Sequence, residues 1–286
     1  MYIITYFIQN TSVFVLKCTK KSKIGGFMKK LLSFILTSLI FVTNVYAKDL
    51  RFAQISDVRY SANEENIELQ NIIKEINKDN KINFVVFTGD NIIKPSKVDL
   101  EAFIKEAKKL DCPFYLVIGE KDVNQFKHFD KKDYIKTLNK NIRRYKIKTP
   151  NYSFEKNGVI FVVADGAKEV ISDNSGYYKD DVLNWLDEEL SKYPENSIII
   201  LQHFPVIPPA EKVSYYTYRA NDYLKIVSKY KNVKAIISGH FGVNNEKSVN
   251  GIQHISTQGM PYYRIIDIID SETNTPIIWA ELKKVD

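Results

Sequence analysis

The chain has 286 residues, with 41 Lys and Arg, 34 Asp and Glu, and a formal net charge of +7. The positive charge is concentrated at the start, because residues 1–47 hold six Lys and no acidic residue. Without this segment Lys and Arg fall by six, from 41 to 35, and the remainder carries about +1. A near-neutral domain lacks the basic surface of a general nucleic-acid binder, so we expect no nucleic-acid partner.

Residues 28–47 have the pattern of a secretory signal peptide. Met28-Lys29-Lys30 is a short positive start, residues 31–42 are apolar or small, and Val45-Tyr46-Ala47 suits a signal peptidase. The apolar run of twelve residues is too short to span a bilayer. The pattern therefore predicts an exported protein, periplasmic or extracellular, with no membrane span after cleavage.

Residues 1–27 precede this signal, which is unusual. We interpret them as a mis-called upstream extension and Met28 as the initiator. The alternative is a membrane anchor at residues 2–16, which the polar residues Gln9, Asn10 and Thr11 interrupt. The predicted folded domain is therefore 48–286.

From residue 48 the chain alternates short β-branched and aromatic runs with amphipathic stretches, which predicts βαβ units and a mainly parallel sheet. A hairpin is predicted where Asn157-Gly158 separates two apolar runs. The tail reads as an antiparallel strand series. Two mixed sheets with outer helices, a four-layer αββα sandwich in the α/β class, fit this order best. The predicted strands are 50–56, 83–88, 114–118, 151–155, 159–164, 197–201, 233–238, 252–256, 262–269 and 276–282, and the predicted helices are 64–77, 99–110, 179–192 and 220–230.

Five of the strands stop at a residue that can bind a metal. Because ligands of such sheets bind outside the carboxyl ends of the strands, these side chains should converge on one edge. Their chemistry, three carboxylates and two imidazoles, predicts a metal site. They are Asp57, Asp90, Glu120, His203 and His240.

At these residues the sequence resembles the calcineurin-like metallophosphoesterases, over nearly the whole of 48–286. That family orders its ligands as Asp-x-His, Gly-Asp, Gly-Asn-His-Asp/Glu, an isolated His and Gly-His-x-His. The resemblance implies the metallo-dependent phosphatase sandwich and a hydrolase acting on phosphate mono- or diesters. The matching stretches are Asp57-Val58-Arg59, Gly89-Asp90-Asn91, Gly119-Glu120-Lys121-Asp122, Gln202-His203-Phe204-Pro205 and Gly239-His240-Phe241-Gly242.

The metal motifs are incomplete. By the family's pattern Arg59 and Gly242 replace both histidines of one metal site, which leaves Asp57 and Asp90 there. The resemblance assigns a second, complete shell to Asp90, Glu120, His203 and His240. We therefore expect one divalent ion, Mn, Fe or Zn, with two ions as the alternative.

Two cations stand near the predicted site. The guanidinium of Arg59 suits carboxylate and phosphate oxygens, and Lys121 stands where the family has the His that assists the leaving group. The predicted catalytic residues are Arg59, Lys121 and Asp90, acting on an anionic phosphorylated small molecule or cell-envelope substrate. The alternative is an inactive relative that binds a phosphorylated ligand, in which Arg59 and Lys121 pair with Asp57 and Glu120.

Three other features have two interpretations each. His254 could replace the ligand missing at Gly242, although a packed histidine is commoner. The basic segment 127–148 could steer an anionic substrate, although a solvated helix face is favoured. The stretch Tyr215, Tyr216, Tyr218 and Arg219 could stack on a substrate or pack within a long loop.

Overall fold

A computed structural model describes residues 2–8, 11–17, 49–143, 146–170, 173–212, 214–269, 271 and 276–286. The chain divides into two compact units, Met1–Tyr46 and Ala47–Asp286. In the first, β1 (Tyr2–Ile8) pairs antiparallel with β2 (Thr11–Lys17). The predicted signal peptide at 28–47 lies outside the described residues and stays a prediction. Within the described part of the chain, no helix combines the length and apolar character needed to cross a membrane.

The second unit contains a five-stranded sheet that carries three of the five predicted strand ends. Strands β3, β4 and β5 run parallel, and β14 runs antiparallel to both β3 and β15, in the order β15-β14-β3-β4-β5. Three helices and a short 3₁₀ helix, Gln125–Lys127, follow these strands in the chain. The bounds are β3 Leu50–Ile55, β4 Ile82–Thr88, β5 Phe114–Val117, β14 Tyr262–Ile269, β15 Ile277–Lys284, α1 Ile67–Asn77, α2 Lys97–Ala107 and α3 Lys131–Asn141.

A six-stranded sheet carries the other two strand ends. Its order is β12-β13-β11-β9-β7-β6, with β7, β9, β11 and β13 parallel and with antiparallel strands at both edges. A two-residue parallel pair, β8 with β10, lies outside it. The bounds are β6 Tyr152–Lys156, β7 Val159–Val163, β8 Gly176–Tyr177, β9 Ile198–Leu201, β10 Thr217–Tyr218, β11 Val233–Ser238, β12 Asn245–Val249, β13 Ile252–Ser256, α4 Asp180–Ser191 and α5 Ala220–Val227.

The apolar residues form three layers of core, which confirms the αββα sandwich. One cluster joins the five-stranded sheet to α1, α2 and α3, and another joins the six-stranded sheet to α4 and α5. The third lies between the sheets, where the ring of Phe84 stacks on Phe52 at 4.8 Å and meets Phe161 edge-on at 5.0 Å. Helix periodicity sets the outer layers: α1 buries Leu69, Ile72, Ile73 and Ile76.

The predicted hairpin is confirmed, because Asn157 (φ 48°) and Gly158 (φ 80°) make the left-handed turn between β6 and β7. The predicted antiparallel tail is wrong in part. Strand β13 pairs parallel with β11 in one sheet, whereas β14 and β15 belong to the other. Strand β12 was missed, although Asn250-Gly251 makes the same kind of turn between β12 and β13.

Candidate metal centre

The five predicted strand ends meet at one edge of the sandwich. Within the first sheet, the Asp57 amide donates to the Gly89 carbonyl at 3.0 Å. Across the two sheets, the His240 amide donates to Asp57 Oδ2 at 3.0 Å. All five side chains are buried, from 0% exposure at Asp90 and His203 to 8% at Asp57. The structure therefore brings the five strand-end residues together.

Glu120 is the centre of the tightest group. Its Oε2 lies 2.8 Å from His203 Nε2 and 3.2 Å from His240 Nδ1. Asp90 Oδ1 lies 3.7 Å from the same His203 nitrogen. The four side chains thus direct two carboxylates and two imidazole nitrogens at a common region, as the predicted shell requires.

The second ring nitrogen of each histidine fixes which nitrogen faces this region. His203 Nδ1 donates to the Thr88 carbonyl at 2.7 Å, and His240 Nε2 donates to the Asn174 carbonyl at 2.8 Å. Since a carbonyl can only accept, a neutral ring then presents its lone pair to the carboxylates. A metal-binding histidine usually donates its other ring N–H in this way, to a carbonyl or carboxylate.

Two buried atoms at the group have unused hydrogen-bonding capacity. Within the ranges that the structure describes, Asp90 Oδ2 has no hydrogen-bond partner, and His240 Nδ1 meets Glu120 Oε2 at 3.2 Å without hydrogen-bond geometry. Buried polar atoms are normally bonded, so both atoms fit a role as metal ligands. Two imidazoles with carboxylates form a donor set that suits Zn, Mn or Fe. The residues present therefore fit a divalent ion.

The charges in the group point the same way. Burial lowers the pKa of His203, but Asp90 and Glu120 outweigh burial and raise it to about 10. Burial would raise the pKa of Glu120, but His203 holds it well below its usual range. Burial, reinforced by Glu120 and Asp57, raises the pKa of Asp90 well above normal. A positive charge at the centre is thus strongly favoured, and a dication would supply it.

The predicted second half-site is arranged differently. Asp57 Oδ2 accepts hydrogen bonds from Ser56 Oγ at 2.6 Å and from the His240 amide, and its Oδ1 lies 3.4 Å from Arg59 Nη2. The Nε atom of Arg59 lies 3.7 Å from Asp90 Oδ2. Asp57, Asp90 and His203 also lie close enough to share an ion, and Arg59 pairs with both of these carboxylates.

Lys121 and Gly242 complete the comparison with the predicted site. The backbone amide of Lys121 donates to Asp90 Oδ1 at 2.8 Å, and its side chain is half-buried. Gly242 is exposed and left-handed (φ 62°), and a Cβ added there meets no atom within 4 Å. A larger side chain would therefore find room at Gly242.

Backbone strain is concentrated at these strand ends. Asp57, Arg59, Asp90 and His240 all have φ between 50° and 70°, in the left-handed region that non-glycine residues seldom adopt. Such strain persists where the surrounding structure requires it, often at functional sites. Gly89 (φ 95°) must be glycine, because a Cβ there would lie 2.4 Å from His203 Nδ1.

Several contributors were not identified from the sequence. The buried carboxylate of Asp122 accepts from the amides of Gly119 and Ile92 and from Asn91 Nδ2, which joins the loops after β4 and β5. Its place in the Gly119–Asp122 motif was the only signal. The Asn174 carbonyl that orients His240 has no sequence signal, because any residue could provide it.

The structure places His254, the basic segment 127–148 and the tyrosine stretch, which each had two interpretations from the sequence. His254 lies in the middle of β13, paired with Ile236, rather than at a strand end. In the basic segment, Lys131 Nζ lies 2.5 Å from Asp165 Oδ2, an internal ion pair. The ring of Tyr215 lies 4.8 Å from that of His240, at the site, whereas Arg219 pairs with Asp180 and Asp222.

Residues 50–244 match the sequence model of the calcineurin-like phosphoesterases, and the chain belongs to this family. It is 24% identical, over 188 residues, to a protein of Arcobacter nitrofigilis described as a probable glycerophosphodiester phosphodiesterase. That match covers 60% of this chain and 61% of the relative's length. The family is one of phosphoesterases, enzymes that hydrolyse phosphate esters.

Solved structures share the fold. A dimetal phosphatase from Danio rerio superposes with a TM-score of 0.61 at 16% identity, over 80% of this chain and 98% of that one. The purple acid phosphatase PPD1 from yellow lupin gives 0.58 at 13% identity, over 83% of this chain and 52% of that one. These likenesses confirm the predicted sandwich.

Proposed function

We propose that the chain is an exported phosphoesterase that works with one divalent ion, held by Asp90, Glu120, His203 and His240. The observation that carries the proposal is the convergence of two imidazole nitrogens on Glu120 Oε2, at 2.8 and 3.2 Å. Each ring is fixed by a backbone carbonyl on its far side. This arrangement leaves a set of ligand atoms that needs little movement to bind an ion.

The side chains around this shell have separate tasks. When bound, the ion supplies Lewis-acid polarisation of a phosphoryl oxygen and acidifies water. Arg59, whose side chain is 47% exposed, reaches solvent while its other face neutralises Asp57 and Asp90. A guanidinium so placed can bind a phosphoryl oxygen and stabilise negative charge that develops during hydrolysis. We assign the role of a second cation to Lys121, on the loop after β5, whose backbone amide donates to Asp90 Oδ1.

The substrate class proposed is an anionic phosphorylated small molecule or a phosphate ester of the cell envelope. The signal-peptide pattern at 28–47 supports export, and the name of the Arcobacter relative supports a phosphodiester. The near-neutral charge of 48–286 argues against nucleic acid. Mn, Fe and Zn all suit the donor set.

The direct test measures the metal content of the purified chain, then turnover of chromogenic phosphomonoesters and phosphodiesters with added Mn²⁺ or Zn²⁺. We expect bound metal and turnover that Asp90→Ala abolishes. Glu106→Ala is the matched control, because Glu106 is also a buried carboxylate but lies on α2 and pairs with Lys109. Negligible metal, or turnover that survives Asp90→Ala, would refute the proposal.

One observation favours a second candidate, a non-catalytic protein that binds a phosphorylated ligand. Arg59 pairs with Asp57 and Asp90, so the half-site that the family gives to another ion carries an ion pair. This candidate predicts phosphate binding that Arg59→Met weakens, with no turnover under any metal. The turnover assay separates the two candidates.

A further inference from the structure

A small cavity lies next to the turn that carries His203. Its volume is about 10 Å³, and its walls come from β11, β12, β13 and residues 202–209. Three of the residues that line it each have a buried side-chain atom without a hydrogen-bond partner among the described residues. These atoms are Gln202 Oε1, His254 Nε2 and Ser256 Oγ.

The three atoms point to one shared ligand rather than to three separate defects. The residues are 0%, 7% and 3% exposed, so bulk water does not satisfy them. Leaving a buried polar group unpaired is energetically costly, and native proteins rarely do so. Ser238 lines the same cavity, but its hydroxyl already donates to the Ile255 carbonyl and needs no further partner.

The ligand must both donate and accept hydrogen bonds. Gln202 Oε1 only accepts, because the amide nitrogen of Gln202 already donates to the Phe204 carbonyl at 2.8 Å. His254 Nε2–H and the Ser256 hydroxyl can donate. Lys247 faces His254 across the β12–β13 pair and lines the cavity, which disfavours a cation. The Gln202 oxygen disfavours an anion.

We propose that the cavity holds one ordered water, bonded to Gln202 Oε1, His254 Nε2 and Ser256 Oγ. Its volume is close to the minimum for a single water, and buried waters typically make about three hydrogen bonds. The water assigns a role to His254, which sequence analysis left open between metal ligand and packed histidine.

The site connects to the metal centre through the turn at residues 202–204. The backbone N–H of Gln202 donates to the Ile237 carbonyl at 3.0 Å, and the side-chain amide of Gln202 donates to the Phe204 carbonyl. These two hydrogen bonds of Gln202 hold the backbone on both sides of His203. A water on Gln202 Oε1 would fix the remaining polar atom of that side chain. Gln202, His254 and Ser256 are therefore positioning residues for His203.

The first test is a high-resolution crystal structure of the full chain. We expect one density peak within hydrogen-bond distance of all three atoms. The peak should disappear in His254→Phe and return in His254→Gln, which restores a donor. An empty cavity, or a peak that refines as an ion, would overturn the proposal. If His254→Phe fails to fold, Ser256→Ala serves instead, with one contact to the peak removed.

The second test addresses positioning, with Mn²⁺ alone as the probe. We expect His254→Phe to raise the Mn²⁺ dissociation constant several-fold and to speed amide exchange at residues 202–204. Ser248→Ala, an exposed serine on the same hairpin, should change neither. An unchanged dissociation constant would overturn the positioning role. If the wild-type chain takes up no Mn²⁺, the proposed function fails, while the density and the exchange rates still decide the water site.

Discussion

Replacing Arg59 by Met should destabilise the metal-free protein by about 2 kcal/mol. Its guanidinium lies 3.4 Å from Asp57 and 3.7 Å from Asp90, so each pair is worth roughly 4–5 kcal/mol before solvation, at an effective dielectric constant near 20. The Arg59 side chain is 47% exposed, so solvent screening removes much of this energy. The remainder is substantial because both carboxylates are buried and would be left facing each other. Asp90 can take up a proton, which limits the loss.

The assay is urea unfolding with a chelator present, because urea does not screen charge. Arg219→Met is the matched control: Arg219 also pairs with two carboxylates, at 2.7 and 2.6 Å, but their side chains are 79% and 40% exposed. Although those distances are shorter, we expect a smaller loss there. If Arg59→Met is neutral, or costs no more than the control, Arg59 does not compensate the two carboxylates and the account of the half-site is wrong.

Three further predictions concern the metal count, the response to pH and the core. Restoring both family histidines, Arg59→His with Gly242→His, should raise the metal content from about one to about two ions per chain, measured by elemental analysis. The pKa of His254 is lowered from 6.5 to about 4, mainly by burial, so the unfolded chain binds a proton between these values that the folded chain does not. Stability should therefore fall as the pH falls from about 6.5 towards 4, and His254→Gln should reduce that fall in urea titrations. Phe84→Ala, between the sheets, should cost about 3–5 kcal/mol in free energy of unfolding.

Each of these three predictions has a control variant and a result that would contradict it. Gly242→Ala adds a Cβ at this left-handed position but adds no ligand atom. A second ion bound by the Gly242→Ala variant would therefore contradict the assignment of Gly242 to the position of the missing histidine. His128 is exposed. If His128→Gln changed the pH dependence of stability as much as His254→Gln does, the burial of His254 would not be the cause of that dependence. Phe126 is 74% exposed, and its replacement by Ala should stay within about 0.5 kcal/mol; an equal loss at Phe84 and Phe126 would contradict the intersheet packing.

Much of the fold could be predicted because the buried strands are mainly apolar runs of β-branched and aromatic residues. Strand β11 at Val233–Ser238 and strand β14 at Tyr262–Ile269 were predicted with the observed bounds. The pairing of β13 could not be predicted, since local pattern does not tell which of two sheets a strand joins. Strand β12, Asn245–Val249, is short and half-exposed at a sheet edge, so its hydrophobic pattern was weak.

The candidate site could also be predicted only in part. Strand-end position predicted that Asp90, Glu120, His203 and His240 lie together, and the family resemblance assigned them to one ion. Sequence could not show that the oxygens of Asp57 are engaged by Ser56, Arg59 and the His240 amide, because one of these donors is a backbone group. The backbone carbonyls that orient the imidazoles could not be predicted either, because every residue has a carbonyl group.

The position of the metal in a crystal grown with Mn²⁺ or Zn²⁺, read from anomalous scattering, decides whether the four-residue shell binds the ion. We predict one strong peak per chain, bound by Asp90, Glu120, His203 and His240, with Arg59 still beside Asp57. A peak between Asp57 and Asp90 with Arg59 displaced, or no peak at the four residues, would contradict it.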